Sequence, residues 1–226
     1  MPGGFVRPTE TTEQAAQREL REETGVDNVY LEQLYTFSEP GRDPRTWVMS
    51  CSYMALIDST KVSIQAGDDA DEAIWFNLSY RLVKLEKEQL DDGYIETRQF
   101  ELKLYNEQET LTSIVERKLK STESSSAVEY NIVSNNGLAF DHAKIIGYAI
   151  ERLRGKVEYT DIALHLMPKL FTLTELQQVY EVILNKELLK AAFRRKIVHL
   201  VEETDHYTEN AGHRPSRLYR RNREGI

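Results

Sequence analysis

At 226 residues the chain is long enough for one or two compact domains and too short for three. Lys and Arg number 29 against 37 Asp and Glu, a net charge of −8, and 40% of residues are hydrophobic, which excludes a disordered chain and allows a real core. No run approaches the roughly 18–20 apolar residues of a membrane helix, no basic-then-apolar leader opens the sequence, and a lone cysteine, Cys51, excludes an internal disulfide and a cysteine-built metal site. A reducing, cytoplasmic setting is the expectation, with no membrane partner.

Charge divides the chain. Residues 155–226 hold 12 Lys and Arg against 10 Asp and Glu, whereas residues 1–154 hold 17 against 27. Two domains are expected at those bounds, 1–154 acidic and 155–226 mildly basic.

The first predicted element is a helix. Gly3, Gly4 and Pro8 describe a loop, Thr11 with Gln14 three residues on has the capping-box spacing, and Gly25 stands where a helix C-cap glycine belongs. On this helix Glu19, Glu22 and Glu23 stand at i, i+3 and i+4, three carboxylates on one face. Such crowding destabilises a helix unless a cation sits over it. Hard oxygen donors at this density suit Mg²⁺ or Mn²⁺, and Arg18 is spaced to hold Glu22. A solvated acidic face is the alternative that the helix alone allows.

The spacing goes further. Gly4, Glu10, Arg18, Glu19, Leu20, Glu22, Glu23, Gly25 and Val26 match every specified position of the Nudix signature, and the chain resembles that family there. The resemblance implies a loop–helix–loop that binds divalent metal and hydrolyses a nucleoside diphosphate linked to another group. It implies that Glu19, Glu22 and Glu23 bind the metal, that Gly3 lends a backbone carbonyl, that Glu19 also activates water, and that Arg18 orients the acids. The metal would neutralise diphosphate oxygens and align an attacking water. A downstream acid is an alternative base, from Asp68, Asp69, Asp71, Glu72, Asp91 or Asp92, although loop acids are commonly just solvated.

Past Gly25, Val29 to Phe37 and Trp47 to Ile57 read as strands, with shorter ones at Ile74 to Phe76 and Phe100 to Tyr105. The intervening Gly41-Arg42-Asp43-Pro44-Arg45 resembles a stretch of Nudix proteins that act on ADP-ribose, so Arg42 and Arg45 are candidate phosphate clamps. Arg–Asp pairing that stiffens a turn is the competing account. The Nudix fold, an α/β/α sandwich, ordinarily has strands ahead of the signature, and three residues precede Gly4. The coding sequence is therefore expected to continue upstream of Met1.

The second unit opens after a helix beginning near His142, itself more plausibly a cap or core hydrogen-bonder than a ligand. A short helix from Thr160 to Pro168 follows, then a second capping box at Thr172 and Glu175 with the stripe Leu176, Val179, Tyr180 and Ile183. The next helix carries Leu189, Phe193, Ile197 and Leu200 on one side and Lys190, Arg194, Arg195 and Lys196 on the other. A hairpin from Thr204 to Tyr219 closes the unit, turning near Asn210 to Gly212, and Arg214, Arg217, Arg220, Arg221 and Arg223 make the chain's end basic. Helix, helix, basic helix and basic hairpin is the order of a winged helix-turn-helix. Lys190, Arg194, Arg195, Arg214 and Arg217 are then candidate DNA contacts. A packing or dimerisation module is the other use of that fold.

The segments Phe171 to Gln177, Phe193-Arg194-Arg195 and Arg214-Pro215 with Leu218-Tyr219 resemble the C-terminal domain of Nudix-related transcriptional regulators of NAD metabolism. With the signature, the resemblance spans nearly the whole chain and implies an α+β protein in two parts, a homodimer, sensing of ADP-ribose or a related compound, and double-stranded DNA as partner. Because the signature is undamaged, Mg²⁺-dependent cleavage of ADP-ribose to AMP and a sugar phosphate is the leading expectation, and an ADP-ribose-sensing repressor the alternative.

Overall fold

The computed structural model describes residues 1–58, 73–208 and 215–222. They form two compact units: residues 1–27, 31–54 and 73–151 make the first, and 28–30, 55–58, 152–208 and 215–222 the second. The architecture is α+β, with the long strands in the first unit and short helices with a terminal hairpin in the second.

In the first unit helix α1 spans Thr12–Thr24. Thr11 accepts from the Gln14 N–H while the Gln14 side chain accepts from the Thr11 N–H, so the predicted capping box is complete. Gly25 ends the helix at φ 71°, a left-handed conformation that only glycine adopts freely, and its N–H returns to the Arg21 carbonyl at 2.9 Å. Strands β1 (Tyr30–Phe37) and β2 (Ser50–Leu56) follow as a two-stranded ribbon.

Next comes an antiparallel meander that the sequence reading did not anticipate: β3 (Asn77–Leu90), β4 (Gly93–Tyr105), β5 (Thr110–Thr122) and β6 (Ser126–Asn136), in that order across the sheet. Only Phe100 to Tyr105 was read as a strand within it. Residues Ile74 to Phe76, expected as a strand, precede β3 without joining it. One face is apolar: Tyr80 lies opposite Leu102, Phe100 opposite Val115, and Val115 opposite Ile132. Helix α2 (His142–Lys156) covers that face with Ala143, Ile146 and Ile150, and turns Ile145, Tyr148 and Ala149 to Leu34 and Phe37 of β1.

The second unit starts with a 3₁₀ turn, Ile162–Leu166, where a short helix was expected. Helix α3 (Leu173–Leu184) carries the second capping box, Thr172 with Glu175. Helix α4 (Lys190–Ile197) and the hairpin of β7 (Val201–Tyr207) and β8 (Arg217–Arg221) complete it. Leu176, Tyr180, Phe193 and Ile197 are all buried to 3% exposure or less, and the Tyr180 and Phe193 rings meet edge-on at 5.2 Å. Phe171 and Tyr219 exchange two backbone hydrogen bonds, at 3.1 and 2.8 Å, which ties the start of α3 to the wing. Among the described residues no helix is long and apolar enough to cross a membrane.

Candidate functional sites

Around α1, Arg18 is the hub. Its Nε and Nη2 donate to the two carboxylate oxygens of Glu10 at 3.0 and 2.7 Å, Nη1 donates to Glu19 at 2.5 Å and Glu22 at 3.0 Å, and Nη2 reaches the Phe5 carbonyl at 3.2 Å. Glu10 also accepts from the Arg7 N–H at 2.9 Å. These contacts, Arg18 first, hold the Glu10 carboxyl down at about 2, and Glu10 and Glu19 in turn raise the already basic guanidinium.

Gly4 is required by close approach. A Cβ there would overlap Oε1 and stand 2.6 Å from Cδ of Glu19, so any side chain would force that carboxylate aside. Glu23 accepts from the Gly3 N–H at 3.1 Å, so the loop is laced to the helix at both glycines. The expected residues therefore lie together. Glu19, Glu22 and Glu23 share a helix face, with Arg18 and the Gly3 backbone against them.

The donor chemistry fits a hard divalent cation, three carboxylates on one helix face with the Gly3 backbone tied to Glu23. Their arrangement is a separate matter. Glu19 and Glu22 are turned onto Arg18, and among the described residues no three acidic, His or Cys side chains converge tightly enough to hold a metal ion. Arg18 takes Glu19 Oε1 and Glu22 Oε2, so a cation would be met by the other oxygen of each carboxylate. Of the candidate bases, Asp91 and Asp92 lie in the exposed β3–β4 turn, and Asp68, Asp69, Asp71 and Glu72 lie outside the described residues.

Arg42 and Arg45 part company. Arg42, 9% exposed, grips Asp141 with Nε at 2.9 Å and Nη2 at 3.1 Å and reaches Ser50 Oγ with Nη1 at 2.6 Å. Arg45, 71% exposed, pairs with Asp43 at 2.8 Å and lies over the Phe140 ring at 4.7 Å. Hydrogen bonds from the Arg45 side chain and N–H hold Asp43 down at about 2. The Asp141 partner, 99 residues from Arg42, left no local signal in the sequence.

In the winged helix Lys190, Arg194 and Arg195 are exposed on α4, and among the described residues none makes an ion pair within 4 Å. Arg217 differs: it pairs with Glu203, and its Nη2 donates to the Tyr207 hydroxyl at 2.9 Å. Arg220 pairs with Glu202 at 2.8 Å and Arg221 with Asp161 at 2.5 Å. Arg214 and the hairpin turn lie outside the described residues.

These two units, a loop–helix with the Nudix signature and a winged helix-turn-helix with an exposed basic third helix, define a Nudix protein with a C-terminal winged helix. The NUDIX domain family matches residues 1–96, and the NrtR DNA-binding winged helix domain matches residues 163–221. The ADPR responsive transcriptional repressor NtrR of Acinetobacter baylyi is 34% identical over 224 residues, spanning 97% of this chain and 68% of that one. The chain belongs to this family of Nudix proteins with an NrtR winged helix. The ADP-ribose pyrophosphatase of Methanocaldococcus jannaschii is 43% identical over 79 residues, 35% of this chain and 46% of that protein. The crystal structure of Shewanella oneidensis NrtR complexed with a 27mer DNA superposes with a TM-score of 0.60 at 26% identity, covering 98% of this chain and 78% of the other.

Proposed function

We propose that the chain is a DNA-binding transcriptional regulator whose Nudix domain takes ADP-ribose as its signal. The observation that carries this is the match to a repressor of that kind across 97% of the chain, signature and winged helix together. The order of the two expectations is thereby reversed, because the relative named for hydrolysis matches only 35% of the chain.

Domain bounds of 1–154 and 155–226 suit this division of labour, and a cytoplasmic homodimer is the assembly we propose. In the winged helix, Lys190, Arg194 and Arg195 of α4 meet the duplex, supported by Arg214 and Arg217 of the wing. For Arg217 this means exchanging Glu203 for a phosphate.

In the Nudix domain Glu19, Glu22, Glu23 and the Gly3 carbonyl would hold Mg²⁺ or Mn²⁺, which when bound neutralises diphosphate charge and acidifies a water. Arg18 keeps the carboxylates oriented. Arg45, the more exposed of the two loop arginines, is the readier phosphate clamp, since Arg42 must first release Asp141.

The second reading, retained hydrolysis, is favoured by one specific observation: every specified position of the signature is present, from Gly4 to Val26. Glu19 would then take the proton of the attacking water. Incubation with ADP-ribose and Mg²⁺, read for AMP, tests hydrolysis, and salt-sensitive retardation of duplex DNA tests the regulator. DNA binding without AMP supports a pure sensor; AMP without DNA binding overturns the regulator.

A further inference from the structure

The two adjacent arginines of α4 occupy unlike positions. At 100° per residue, the side away from buried Phe193 and Ile197 carries Ala191 and Arg195, and the C-cap residue Val198, still in helical conformation, continues it at i+7. All three are exposed, and Val198 keeps 67% of its surface open. The other cations of the helix are exposed as well, but each has a group of the protein nearby. Lys190 is close enough to bias Glu181 of α3, Arg194 close enough to bias Tyr219 of β8, and Lys196 lies over the Tyr180 ring at 5.7 Å. Arg195 makes no hydrogen bond or ion pair among the described residues.

Resting on the DNA-binding reading above, we infer that Arg195 is the base-reading residue of this helix, whereas Arg194 and Lys190 anchor phosphates. A helix in the major groove turns its outward stripe to the floor of the groove and its flanks to the two backbones. A guanidinium on that stripe can donate two parallel hydrogen bonds to O6 and N7 of guanine, a pattern no other base presents there. Ala191 and Val198, apolar on either side of it, suit thymine methyl groups rather than phosphates. Arg194 on the wing side lies toward the backbone, where contacts carry affinity without sequence. The stripe therefore specifies a guanine flanked by thymines, on one strand or the other.

The full-length chain and its variants are each used to select from a pool of duplexes with randomised centres, and selected sequences are compared alongside affinity as a function of salt. Arg195→Ala should erase one guanine preference and weaken binding to the wild-type-selected duplex about tenfold to a hundredfold. Arg195→Lys, which keeps the charge and loses the fork, should weaken the same preference with the salt slope kept. Arg194→Ala should select the wild-type sequence at lower affinity, with a salt slope shallower by about one. Both side chains are exposed, and circular dichroism checks that each variant folds. An unchanged guanine preference in both Arg195 variants, or a changed one in Arg194→Ala, overturns the assignment while leaving DNA binding standing. A wild-type chain that binds duplex but enriches no sequence overturns the assignment, and one that binds no duplex overturns both.

Discussion

Arg18 and Glu10 form a two-pronged ion pair, at 3.0 and 2.7 Å, that fastens the loop of the Nudix signature to its helix. The arginine thus does two things at once. It closes the loop, and its third nitrogen lies between Glu19 and Glu22, where three like carboxylates would otherwise repel. Removing it should uncouple the acids from the loop rather than unfold the domain. Arg18→Gln is expected to weaken Mn²⁺ binding about tenfold to a hundredfold, the usual cost of losing a group that orients metal ligands. Calorimetric titration of Mn²⁺ into the variant checks this.

Gly4→Ala places a Cβ 2.6 Å from Cδ of Glu19, so the carboxylate must swing away. The expected outcome is a folded protein with impaired Mn²⁺ binding. Glu22→Gln should likewise leave the fold intact and abolish any AMP formation, because it removes charge and keeps shape. Circular dichroism together with the AMP assay separates these effects from misfolding.

Arg42 and Asp141 join the β1–β2 loop to the start of α2 with side chains 9% and 13% exposed. Truncating one partner strands a largely buried charge, and Asp141→Ala should cost up to about 3–5 kcal/mol in denaturant unfolding. Arg45→Ala, by contrast, removes a side chain that is itself 71% exposed, so water can replace much of what Asp43 loses and the unfolding midpoint should move less.

Thr172 caps α3 with a complete box, and Thr172→Ala is expected to cost about 0.5–2 kcal/mol. Thermal unfolding read through the winged helix measures it.

Glu181 accepts from Gln177 Nε2 at 2.9 Å and from the Leu188 N–H at 2.8 Å, holding together the α3–α4 turn. These bonds lower its carboxyl below the ordinary 4.5. A carboxylate so favoured contributes its full stability above 4.5 and loses it as pH falls through the lowered folded value. The stability advantage of wild type over Glu181→Gln should therefore be constant near neutrality and vanish in acid, as urea titrations at a series of pH values would record.

What the sequence disclosed followed from local rules. Capping boxes at Thr11 and Thr172, the C-cap at Gly25 and the stripe of Leu176 and Tyr180 each depend on residues within one or two turns, and each is found in the fold. The meander was illegible for a physical reason. Among the described residues only one of its faces is covered, its strands carry many Lys and Glu residues with weak strand preference, and bulges at Val83 and Val133 break the alternation that marks a strand. The site was legible as a set of residue types and not as a set of contacts. Arg18 could be matched to Glu22 by spacing, but its grip on Glu10, the Arg42–Asp141 pair and the wing pairs Arg217–Glu203 and Arg220–Glu202 all join elements that only folding brings together.

The central claim is that one chain couples ADP-ribose to DNA, and linkage makes that coupling reciprocal. The most direct test is fluorescence anisotropy of a labelled duplex, selected by the full-length protein, titrated with that protein at several fixed ADP-ribose concentrations in Mg²⁺. The account predicts a DNA affinity that shifts about fivefold or more as ADP-ribose rises, with the shift lost in Arg18→Gln. Binding curves that superimpose at every ADP-ribose concentration would contradict it.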